Sequence, residues 1–96
     1  MADFILLMHG DAPGEERDWD GYLGRLGAAG KLRGGSAIGG GRCFRKDGAE
    51  RAITSGLVGF IRVEAADVAE AETLLAGNPA YEAGGTVEIR ELPVTG

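Results

Sequence analysis

Phe4-Ile-Leu-Leu-Met8 and Leu57-Val-Gly-Phe-Ile-Arg-Val63 decide the fold. Each is too short for a helix, and the first ends on the turn residues His9-Gly10-Asp11. A strand with one wet face alternates apolar and polar residues, whereas these are apolar at consecutive positions. They are therefore expected to be strands buried on both faces. Between them, Trp19, Tyr22, Leu23 and Leu26 fall at helical spacing, with Glu15 and Glu16 expected in the first turn and Gly30 as the stop. Gly21, Gly24 and Gly27 repeat every three residues, which predicts a smooth stripe lying close to a sheet. Leu32–Ile38 reads as a second strand, interrupted by Gly34 and Gly35. Lys46-Asp47-Gly48, between Arg42-Cys-Phe-Arg45 and Ala49–Ile53, predicts an inserted β-hairpin.

After the third strand, Asp67 is placed to cap a second helix carrying Val68, Ala71, Leu74 and Leu75. Gly77 followed by Asn78-Pro79 ends it. Thr86–Leu92 alternates, with Val87 and Ile89 on one face and Thr86, Glu88 and Arg90 on the other. The order is βαββαβ, an α+β ferredoxin-like plan with an inserted β-hairpin and an antiparallel sheet carrying two helices on one face. Nothing in the chain is left to cover the other face of the two apolar strands. A sheet-to-sheet homodimer is the expected solution.

Composition narrows the function classes. The 96 residues suit one domain spanning 1–96. Ten basic against fifteen acidic side chains give a formal charge of −5, which disfavours nucleic acid and anionic membrane surfaces. No apolar run is long enough to span a bilayer, and a cytoplasmic location is the default expectation. One cysteine, Cys43, excludes an internal disulfide and lacks a nearby activating group. One His, one Cys and scattered carboxylates show no metal-ligand spacing, so neither a metal nor another cofactor is expected. Gly39-Gly-Gly41 is not a phosphate loop, because no Lys-Ser/Thr follows it.

The candidate site residues are few. His9, the single histidine, ends the first strand with Asp11 two residues on. In an extended chain the two share a face, so Asp11 is expected to orient the imidazole. This tentative catalytic pair would serve hydrolase- or isomerase-type proton transfer. Tyr22 on the first helix and Asn78, Tyr81 and Glu82 after the second are candidate ligand contacts. A core tyrosine, a turn asparagine and a surface loop are the plainer readings of the same residues. Arg42 and Arg45 on the hairpin are either anion contacts or solvated charges.

Phe4-Ile-Leu-Leu-Met-His-Gly-Asp11, Tyr22-Leu-Gly-Arg-Leu26, Gly30-Lys-Leu-Arg-Gly-Gly35 and the stretch Gly77-Asn-Pro-Ala-Tyr-Glu through Leu92 together resemble the YCII-related (DGPF-like) family. The resemblance covers nearly the whole chain and implies a ferredoxin-like domain of the dimeric α/β-barrel group. Some members carry a proton-transfer His on the first helix and an Asp after the second. Those positions match Tyr22 and Asn78 here, and neither replacement keeps that chemistry, since Asn does not ionise and Tyr does so only near pH 10. The implied function is binding of an unidentified small organic molecule by a homodimer, with enzymatic use of His9 and Asp11 as the alternative.

Overall fold

The computed structural model describes residues 1–54 and 56–94. Strands β1 (Ala2–His9), β2 (Leu32–Ala37), β3 (Leu57–Ala65) and β4 (Val87–Leu92) form one sheet in the order β2-β3-β1-β4. All neighbours are antiparallel. The described residues also form helices α1 (Trp19–Ala28), α2 (Val68–Thr73) and the short α3 (Pro79–Glu82).

The pleat sorts the two apolar strands as elementary geometry requires. Phe4, Leu6 and Met8 of β1 and Ile61, Val63 and Ala65 of β3 are buried against Tyr22, Leu26, Ala71 and Ala80. The intervening Ile5 and Leu7 pair in register with Arg62 and Phe60 on the opposite face, and no helix among the described residues covers them. Val58 on that face is 43% exposed. The expectation of apolar residues on both faces therefore holds, while within one chain only one face is covered.

Three expectations change. Helix α1 begins at Trp19 rather than near Glu15, because Asp18 adopts a left-handed conformation (φ 64°) and its carboxylate accepts from the Gly21 amide. The glycine stripe does not meet the sheet: a Cβ at Gly24 or Gly27 would touch nothing, and only Gly21 is crowded, by the Asp18 cap. The inserted hairpin shrinks to a single bridge between Cys43 and Arg51, with Gly48 at φ 118° in its turn. By contrast, Asp67 caps α2 as expected, accepting from the Glu70 amide, while Glu70 reaches back to the Ala66 amide.

Candidate functional site

The floor of the site is set by glycine. Gly35 and Ala37 of β2 and Gly59 of β3 lie on the helix-facing side, where Gly35 opposes Ile61 and Ala37 opposes Gly59. A Cβ on Gly35 would strike the Phe60 carbonyl oxygen, and one on Gly59 would sit in ordinary contact with the Met8 methyl. These positions put almost no side-chain volume between the sheet and α1. The result is a half-open cleft of about 720 Å³, within the range of small-molecule pockets. Trp19 and Leu23 of α1, Met8 and Leu32 wall it, and Glu16 and Ser36 are polar groups on its lining. The Glu16 carboxylate accepts from the Trp19 indole N–H at 2.9 Å, holding the ring in place. Tyr22 braces it from behind, with ring centroids 6.0 Å apart and an edge-to-face angle of 76°.

Tyr22 and Asn78 are brought together, but beneath the surface: they are 1% and 0% exposed. The Tyr22 hydroxyl donates to the Leu74 carbonyl at 2.7 Å, fastening α1 to the end of α2. Burial raises its pKa, partly offset by Asn78 and by the Arg25 charge. Asn78 Oδ1 accepts from the Tyr81 amide and so caps α3, which fixes which way the amide points. Its Nδ2 is buried without a hydrogen bond of acceptable geometry. Tyr81 is 48% exposed, and Glu82 is occupied by accepting from the Gly77 amide. None of these four residues lines the cleft.

His9 and Asp11 do not form the expected pair. Asp11 accepts from the Thr86 amide at 2.8 Å and from the Thr86 hydroxyl at 2.6 Å, which together hold its pKa below the ordinary 3.8. The His9 imidazole Nε2 instead lies 3.3 Å from Glu88 of β4. Glu88 is held low first by Arg90, at 3.1 Å, and then by His9. The alternation of β1 puts His9 on the uncovered face, opposite the side that carries Tyr22. One cleft lined jointly by His9, Asp11, Tyr22 and Asn78 is therefore not what the chain builds: the sheet separates the two groups.

Sequence reasoning missed the cleft itself. Its signal was present in Gly35 and Gly59: Gly34-Gly35 reads as an interruption of the second strand and Gly59 as an ordinary position of the third, neither as missing core volume. Among the described residues, no group of three His, Cys, Asp or Glu side chains is arranged to hold a metal ion, and no helix is long and apolar enough to cross a membrane.

No family model and no curated protein matches the chain. A solved structure does match: 5-chloro-2-hydroxyhydroquinone dehydrochlorinase from Burkholderia phenoliruptrix, in complex with 2,5-dihydroxybenzoquinone. The superposition has a TM-score of 0.51 at 16% identity and covers 94% of this chain and 93% of that one. The chain has the ferredoxin-like fold. At this identity the likeness speaks to architecture alone.

Proposed function

We propose that this protein is a YCII-related small-molecule-binding homodimer, and that its ligand is a flat, uncharged organic molecule held in the α1 cleft. The observation that carries the reading is the glycine floor. It leaves room for a ring to lie against bare backbone beneath Trp19 and Leu23. The charges point the same way: the acidic side chain on the cleft lining is Glu16, and the chain carries −5 overall, so an anion is disfavoured. That a neighbour of the same fold holds a dihydroxybenzoquinone supports a ring-sized ligand. Tyr22 and Asn78, at the positions of the family pair, support the cleft from behind rather than reacting in it. The homodimer accounts for Ile5, Leu7, Val58 and Phe60 on the uncovered face, which a second sheet would bury.

A catalytic reading rests on His9, with Glu88 in place of Asp11 as the carboxylate beside it. The cleft lies on the other side of the sheet, so a reaction at His9 would need a second site at the face where two copies meet.

The binding reading is tested by thermal melting in the presence of 4-methylphenol and of benzoate, a neutral and an anionic ring of similar size. Binding to the native state raises Tm with ligand concentration. The phenol is expected to raise it and benzoate to leave it unchanged. Ala37→Leu, which fills the floor from a position that already has a Cβ, is expected to abolish the effect. An equal shift by both compounds, or a phenol shift that survives Ala37→Leu, contradicts the reading.

A further inference from the structure

Residues 39–54 form an arm between β2 and β3 that the reading so far leaves unused. Every residue in it except Cys43 is exposed. Phe44 is 69% exposed and Ile53 43%. The arm is nevertheless organised. Arg51 N–H donates to the Cys43 carbonyl at 3.1 Å, Arg42 grips Glu50 through two bonds of 2.7 and 2.9 Å, and Arg42 also lies 5.1 Å from the Phe44 ring centroid. Among the described residues, all hydrogen bonds and ion pairs of the arm are internal to it, and Arg45, Lys46 and Arg51 have no ion-pair partner. A connection this long, held to the body by no hydrogen bond or ion pair among the described residues, is uncommon unless it has a function.

Its charge names the surface it fits. The arm holds four basic and two acidic side chains, net +2. The remaining eighty residues hold six basic and thirteen acidic side chains, net −7. Its apolar roots continue the uncovered sheet face: the Ile38 amide donates to the Val58 carbonyl, and the two side chains are 37% and 43% exposed. We propose that the arm is an exchanged clamp, docking through Phe44, Ile53 and its unpaired cations onto the acidic body of a second copy of this chain. The inference rests on the homodimer in the proposed function and adds a second contact to it. Each copy would lend sixteen residues to its partner, and the opposite charges of arm and body would guide and orient association.

The test is sedimentation equilibrium on the full chain over a range of salt, comparing wild type with two variants. Arg45→Glu/Lys46→Glu/Arg51→Glu reverses the arm without touching the Arg42–Glu50 grip. Val58→Glu places a charge on the sheet face. The expected result is a wild-type dimer that weakens with salt. Arm reversal, which takes the arm from net +2 to net −4, should weaken it about tenfold or more and invert the salt dependence, so that the variant associates better as salt rises. Circular dichroism and Tm of the dissociated chain should be unchanged by arm reversal, since the altered side chains are exposed and, among the described residues, make no hydrogen bond or ion pair with their own body. If Val58→Glu dissociates the dimer and the arm reversal does not, the clamp is wrong and sheet pairing stands. If arm reversal dissociates it and Val58→Glu does not, the clamp stands and sheet pairing is wrong. A monomeric wild type, or arm cations that bind an oligonucleotide while the dimer ignores their reversal, overturns the proposal.

Discussion

Tyr22 and Asp11 show how two residues that sequence marks as chemical become structural. The Tyr22 hydroxyl satisfies the Leu74 carbonyl at the end of α2. Tyr22→Phe leaves that acceptor unpaired, and a loss of about 1–2 kcal/mol in urea unfolding is expected, with the fold retained. Asp11 ties the turn after β1 to the start of β4 through Thr86. Its folded pKa is depressed, so its contribution is complete above the ordinary value of 3.8 and is lost as pH falls through the lowered folded value. Urea midpoints of wild type and Asp11→Asn should therefore differ at pH 7 and converge as the pH falls through that lowered value. A gap that stays constant with pH would mean that the Asp11 charge contributes nothing. The tentative pairing of His9 with Asp11 was a reasonable expectation from i, i+2 spacing. It failed because Thr86 supplies both an amide and a hydroxyl to the same carboxylate, while the cross-strand neighbour Glu88 takes the imidazole.

At the scale of elements, α1 separates two kinds of glycine. Gly21 lies against the Asp18 carboxylate, and its amide is the one that carboxylate caps. Gly24 and Gly27 face open space. Alanine is a better helix former than glycine by about 1 kcal/mol. Gly24→Ala and Gly27→Ala are each expected to raise stability by about 0.5–1 kcal/mol. Gly21→Ala is expected to lower it despite the better propensity, because the new methyl displaces the cap. Thermal melts of the three variants check this, and a uniform gain across all three would contradict the capping account. The start of helix α2 was legible in advance because Asp67 is a local signal that tertiary structure did not override; its end was not, since α2 stops at Thr73 with Leu74 as its C-cap, and Asn78-Pro79 open α3 instead of closing α2. The start of α1 was not, because the deciding feature is a left-handed Asp18, a conformation that pattern cannot announce. The hairpin signal at Asp47-Gly48 gave a turn, but the flanking residues have no sheet to join and form one bridge. The cleft depended on three small residues from two strands meeting in register, information that no single segment contains.

At the scale of the molecule, the chain is a two-layer domain 19 Å thick with one sheet face open. Its radius of gyration is 14.8 Å, above the roughly 13 Å usual for this length, as the projecting arm requires. The uncovered face was readable from Phe4–Met8 and Leu57–Val63 alone, and the single-chain structure leaves that face bare. The cleft is the feature that ties this architecture to a function. Trp19 stands in its wall and is the one tryptophan of the chain, so a single indole N–H resonance reports on the site. The deciding measurement is a titration of the isotopically labelled protein with 4-methylphenol, following that resonance by NMR, with benzoate as the matched anion. A saturable shift of the Trp19 indole signal with the phenol, absent with benzoate and lost in Ala37→Leu, is the predicted result. An indole signal unmoved by the phenol at millimolar concentration, or moved equally by benzoate, would contradict the binding of a flat neutral ligand on the glycine floor.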